Sequence, residues 1–151
     1  MGRVQLALNV EDIDDAIAFY TRLFATGPAK VRPGYANFAV ADPPLKLVLI
    51  EHPGQGGTLN HLGVEVETTD EVRATGARLA DEGLTTAAEE QVSCCYAVQD
   101  KVWVDDPNGA AWEIYTVLAD ADTPASGPRA VEPGASSACC GTEATGGVCC
   151  G

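Results

Sequence analysis

Lysine and arginine are scarce in this chain, nine against 22 aspartates and glutamates in 151 residues, which leaves a formal charge of −13. That balance argues against a nucleic-acid or anionic-membrane partner, because phosphate surfaces attract stripes of Lys and Arg. Long apolar runs are missing too. No stretch approaches the ~18 uninterrupted apolar residues of a transmembrane helix. Met1-Gly2-Arg3-Val4-Gln5 leads straight into an alternating segment, without the basic and apolar regions of a secretory signal. Leu6 stands where a myristoylation signal needs Ser or Thr. The expectation is a soluble cytoplasmic protein of one domain, with enough apolar content for a core.

From Ala119 to Gly151 there is no Leu, Ile, Met, Phe, Tyr or Trp. Such a stretch cannot bury enough apolar surface to offset its ordering entropy, so 119–151 reads as a flexible tail and 1–118 as the folded part. Cysteine never occurs singly. The pairs are Cys94-Cys95, Cys139-Cys140 and Cys149-Cys150, the last two on the tail. Neighbouring Cα atoms lie about 3.8 Å apart, short of the usual disulfide span of ~4.4–6.8 Å, so a bridge within a pair would be strained. Bridges between pairs need an oxidising compartment, which nothing here indicates. Vicinal thiols read better as soft bidentate ligands for thiophilic metals and metalloids.

The folded part repeats. Gln5-Leu6-Ala7-Leu8-Asn9-Val10 aligns without a gap on His61-Leu62-Gly63-Val64-Glu65-Val66, an offset of 56 residues. Each segment alternates like a half-buried strand and leads into a helix. The first helix is expected over Ile13–Phe24 behind Asp12 as N-cap. The second is expected over Asp70–Glu82 behind Thr69, ending at Gly83. Strands follow at Tyr35–Ala41 and Leu45–Glu51 around Asp42-Pro43-Pro44, and at Val102–Asp105 and Ala111–Val117 around Asp106-Pro107-Asn108-Gly109. Matching the two Asp-Pro turns gives an offset of 64, so the second half holds eight extra residues, with Cys94-Cys95 among them. Both halves read βαβββ, in modules of about 3–53 and 58–118, and the fold class is α+β. His52 reads as a loop residue at the end of the first module, and the Gly54–Gly57 run between the modules reads as the linker.

Polar residues at repeat-related positions are the candidates for chemistry. Gln5 and His61 stand at matching places on the first strands, with the same facing. Glu113 stands mid-strand between Trp112 and Ile114, where a carboxylate buried alone would be costly and needs a partner. Its mate at the 64-residue offset is Leu49. A lone strand His or Glu is usually a satisfied or solvent-facing group. Three N/O ligands at related positions instead approach the two-His-one-carboxylate triad of non-haem Fe(II) oxygenases, with Gln for one His.

Taken together these residues resemble a known family. Paired βαβββ modules with ligands on first and last strands look like the vicinal oxygen chelate superfamily, and imply that the modules form its metal cup. A narrower match runs through Leu8-Asn9-Val10-Glu11-Asp12, Phe19-Tyr20-Thr21-Arg22-Leu23-Phe24, Asn60-His61-Leu62-Gly63-Val64, Cys94-Cys95-Tyr96-Ala97, Gln99-Asp100-Lys101, Trp103-Val104-Asp105-Asp106-Pro107 and Trp112-Glu113. It is similar to the organoarsenical carbon–arsenic lyases, relatives of the cadmium-induced proteins. The resemblance implies a dioxygenase that cleaves the carbon–arsenic bond of trivalent methylarsenite and of aromatic arsenicals to arsenite, conferring resistance. It places Fe(II) on Gln5, His61 and Glu113, with O2 as co-substrate, and Gln5 departs from the His of many members. Cys94 and Cys95 would capture arsenic as a dithiolate. Tyr96 and Lys101 are candidates for the pocket wall, the tail cysteines for metalloid delivery, and the eight extra residues for a mobile loop. The competing reading is a non-catalytic arsenic- or cadmium-binding thiol protein on the same fold.

Overall fold

In β1 (Arg3–Val10) every second residue faces the same way: Gln5, Ala7 and Asn9 are buried on one side, while Leu6, Leu8 and Val10 pack against α1 (Ile13–Phe24) on the other. That period of two separates a hydrophobic convex face from a polar concave one. The computed structural model describes residues 2–122. The rest of the expected tail, with Cys139, Cys140, Cys149 and Cys150, lies outside the described residues.

The first module is completed by β2 (Lys30–Arg32), β3 (Tyr35–Val40) and β4 (Leu45–Glu51). The second comprises β5 (Leu59–Glu65), α2 (Thr69–Asp81), β6 (Thr86–Cys94), β7 (Ala97–Asp105) and β8 (Ala111–Asp120). Each is βαβββ, as the repeat implies. Asp12 caps α1 by accepting from the Asp15 amide. The cap of α2 is Thr68, one residue earlier than Thr69, because Glu71 reaches back to close a capping box with it. The Thr69 hydroxyl instead donates to Asp100. No helix among the described residues is long and apolar enough to cross a membrane.

One eight-stranded sheet runs β2-β3-β4-β1-β5-β8-β7-β6 and curls into a half-barrel with both helices outside. The modules join within the chain through antiparallel β1 and β5, where Gln5 pairs with Gly63 and Ala7 with His61. This register is symmetric under the 56-residue offset, so Gln5 and His61 occupy equivalent places. β1 and β4 run parallel, as do β5 and β8, with Ala7 beside Val48 and Gly63 beside Glu113. The equivalent of Glu113 is therefore Val48, not Leu49. The loop between the last two strands is one residue longer in the first module, and with a period of two that single residue turns Leu49 to the helix-covered face.

The extra residues of the second module are not a loop. They lengthen the β6–β7 hairpin, closed by a two-residue turn at Cys95-Tyr96 between paired Cys94 and Ala97. Both turn residues hold positive φ, 52° and 62°. That conformation suits a tight hairpin but is strained for side chains other than Gly or Asn. Contacts with the opposite module hold it: Lys30 Nζ donates to the Tyr96 carbonyl, and the Tyr35 and Tyr96 rings lie 5.2 Å apart.

Candidate metal and thiol site

The concave face encloses a cavity of about 190 Å³, with Gln5, His61, Glu113, Val48, Cys95 and Gln99 in its lining. Three of these converge. Gln5 Nε2 donates to Glu113 Oε1 at 2.6 Å and lies 3.1 Å from His61 Nε2, which is 3.2 Å from Glu113 Oε1. β1, β5 and β8 are adjacent strands, so three residues far apart in sequence meet on one face. All three are buried.

The surrounding bonds orient them. Asn60 gives its amide to Asn9 Oδ1 and turns its oxygen to His61 Nδ1 at 2.7 Å. The proton then sits on Nδ1, and Nε2 presents a lone pair, as metal-binding imidazoles do. Burial, the largest single influence, pushes the Glu113 carboxyl up, but the Lys101 ammonium, 2.7 Å from Oε2, and His61 together outweigh it and hold the group at about 2. Burial likewise opposes the charge on Lys101, and Glu113 with the two nearby thiols more than restores it, raising Lys101 well above its ordinary value. Tyr115 donates to Gln5 Oε1 at 2.6 Å; burial, then the Glu113 charge, keep that phenol protonated well past its usual range.

This arrangement fits a metal ion. His61 Nε2 and Glu113 Oε1 are lone-pair atoms facing each other, with only the Gln5 amide hydrogens between them. Gln5 brings an oxygen on the same amide, which a half-turn exchanges with Nε2. Gly63 leaves the space clear, since a Cβ there would lie 3.1 Å from Glu113 Cγ and 3.2 Å from Gln5 Nε2. An imidazole nitrogen, a carboxylate and an amide oxygen suit a divalent first-row metal. Counting only His, Cys, Asp and Glu, no group of three forms among the described residues, so Gln5 completes the trio.

One of the two thiols reaches the same cavity. Cys94 and Cys95 are unbridged, with their sulfurs 3.4 Å apart, Cys95 on the cavity wall and Cys94 buried behind it. Neither Tyr96 nor Lys101 is among the lining residues. Tyr96 packs on Tyr35 beneath the Arg32 guanidinium, and the Lys101 ammonium is engaged by Glu113 and the Trp103 ring. Asn60, Tyr115, Gly63 and Gln99 carry no signal of a role of their own, although Asn60, Gly63 and Gln99 stand in the runs that carry the family resemblance.

The profile described as the Glyoxalase/Bleomycin resistance protein/Dioxygenase superfamily matches residues 2–114, and the chain belongs to that superfamily. Within it, the chain is 61% identical over 142 residues, 93% of either chain, to the cadmium-induced protein CadI of Mycobacterium tuberculosis (strain ATCC 25618 / H37Rv). It is 61% identical over 124 residues, 82% of either chain, to the trivalent organoarsenical cleaving enzyme of Thermomonospora curvata. Among solved structures, the Mn(II)-bound glyoxalase of Novosphingobium aromaticivorans shares the fold, with a TM-score of 0.56 and 18% identity over 83% of this chain and 44% of that one.

Proposed function

We propose that this protein cleaves the carbon–arsenic bond of trivalent organoarsenicals, methylarsenite and aromatic arsenicals alike, to inorganic arsenite, as an Fe(II)-dependent dioxygenase that confers resistance to these compounds. The observation that carries the reading is the pair of adjacent sulfurs, Cys95 on the wall of the cavity that also holds Gln5, His61 and Glu113 and Cys94 directly behind it. The similarity to an enzyme named for trivalent organoarsenical cleavage supports it.

Each thiol displaces one arsenic hydroxyl as water, so two of them hold arsenic by two As–S bonds and leave its carbon substituent in place. Two anchors stop the rotation that one would permit, which makes the later encounter nearly unimolecular. Gln5, His61 and Glu113 would hold Fe(II), which supplies the electron transfer that O2 needs to react with a closed-shell substrate. Soft thiolates select arsenic while the N/O trio selects the harder metal, so one cavity keeps the two apart. Lys101 keeps Glu113 ionised, and Asn60 keeps the His61 lone pair turned inward. A pure thiol scavenger needs sulfur only and would have no use for a buried, ion-paired Glu113. The tail cysteines, in this reading, collect metalloid and pass it to Cys94 and Cys95.

The test is anaerobic loading with Fe(II), followed by methylarsenite and air. Inorganic arsenite and formaldehyde should appear together, and Glu113→Ala should release neither while still capturing arsenical. Capture without release by the iron-loaded wild type would leave only the scavenger.

A further inference from the structure

Gln99 lies in the part of β7, Ala97–Asp100, that has no counterpart in the first module. Pairing sets Lys101 opposite Tyr115, just as Tyr35, the first residue of β3, is set opposite Ile50. The Gln99 side chain is 4% exposed and lines the cavity. Its Nε2 donates to the Cys94 carbonyl at 3.4 Å. Its Oε1 is a buried acceptor with no hydrogen-bond partner among the described residues. Turning the amide over would set its oxygen against the Cys94 carbonyl, so the clamp fixes which atom is left over. Buried polar atoms are nearly always paired, and an orphan in a binding cavity points to a donor that arrives with the ligand.

The cavity's size says which part of the ligand that is. At about 190 Å³ it exceeds the ~150 Å³ of a cavity known to take up benzene, so a phenyl group fits. Once the two thiols have displaced both hydroxyls, arsenic carries no donor of its own. Only its organic substituent can supply one.

Resting on the function proposed above, we infer that Gln99 Oε1 is an acceptor subsite for the organic group, which favours arylarsenicals bearing a ring hydroxyl or amino group over unsubstituted phenylarsenite. The same amide ties this subsite to the cysteine turn, because its other end holds the Cys94 carbonyl. Selection therefore takes place at capture, before any bond to carbon is broken.

The experiment uses the full chain, metal-free and reduced, with Cys139, Cys140, Cys149 and Cys150 changed to Ser so that only one dithiol remains. Phenylarsenite competes against its 3- and 4-hydroxyphenyl and aminophenyl analogues, and intact mass spectrometry reads the bound ratio. At least one donor-bearing isomer should win by about three- to tenfold, the yield of one net hydrogen bond. Gln99→Met should bring that ratio to about one, whatever change in total capture follows from loss of the bond to the Cys94 carbonyl. Gln99→Glu, which keeps an acceptor whether ionised or not, should preserve it. A wild type that captures without preference, or a preference surviving in Gln99→Met, overturns the subsite alone. Equal loss of capture for every arsenical in Gln99→Met, with the ratio kept, would assign Gln99 to the cysteine turn instead. Failure of the wild type to capture any arsenical defeats the parent reading, and the subsite with it.

Discussion

Under the relation that superposes the two modules, Gln5 falls on His61 and Val48 on Glu113, so both first strands carry a ligand-type side chain but only one last strand does. The neighbours explain why the second module tolerates a carboxylate there. Lys101 stands where the first module has Tyr35, and its ammonium neutralises Glu113 within the core. Gly63 stands where the first module has Ala7, and only the glycine leaves room for the Glu113 and Gln5 side chains. The hairpin turns differ in the same sense, Pro33-Gly34 in one and Cys95-Tyr96 in the other. They meet where the Tyr96 hydroxyl donates to the Pro33 carbonyl. A duplicated scaffold can therefore keep one half close to a plain support while the other carries both the charge and the sulfur.

The largest effect should come from making the cysteine turn as inert as its counterpart. Cys94→Ser or Cys95→Ser should reduce arsenite release to background with iron content unchanged, because oxygen is a harder and far less acidic ligand. Either variant turning over at the wild-type rate would remove the dithiol from the reaction. Lys101→Met strands a buried charge, and unfolding in urea should show a loss of about 3–5 kcal/mol in the metal-free protein. Adding Glu113→Leu should recover most of it, since two apolar groups replace the whole pair. Gly63→Ala, which makes the first strands alike, should cost about 1–3 kcal/mol through overpacking and weaken metal binding measured by titration.

The pH dependence separates the modules more gently. Glu113 is held below its ordinary value of 4.5, at about 2, so its contribution to stability is present above pH 4.5 and lost as the pH falls toward 2. Lys101 is shifted upward, so its contribution is complete below pH 10.5 and is lost as the pH rises above that value. The Tm of the metal-free wild type should decline over the acid range more steeply than that of the Lys101→Met/Glu113→Leu protein. The smallest effect is expected for Gln5→His, which restores imidazole on both first strands: the fold should persist and the metal should bind at least as tightly. Loss of all metal in that variant would mean that Gln5 does not serve as a ligand.

Much of this was legible without coordinates where local signals are strong. The α1 helix runs over Ile13–Phe24 as expected from Asp12 and the spacing of Ile13, Ala16, Ile17, Tyr20 and Phe24. The strand β4 likewise occupies Leu45–Glu51. The strand β6 was harder to see. Thr86–Cys94 alternates poorly, holds mostly small or charged residues, and gains its order from pairing with β7. The β7 strand starts at Ala97 rather than Val102 for the same reason, and this turns an expected loop into a hairpin arm.

The sequence by itself determined the duplication, the common facing of Gln5 and His61, and the adjacency of the two thiols, because each follows from spacing along one chain and from strand periodicity. Tertiary structure alone decided which side chains serve those residues. Lys101 has the composition of a pocket lysine, yet pairing of β7 with β8 sets it against Glu113, out of the cavity lining. Val48 rather than Leu49 occupies the place equivalent to Glu113 because one loop is a residue longer, and parity on a strand admits no intermediate. Tyr115 and Asn60 acquire their roles only through bonds to Gln5 and His61, and Gln99 only through the cavity wall that it shares with Cys95. Such roles depend on which strands become neighbours, and that follows from how the whole sheet closes, not from any local run of residues.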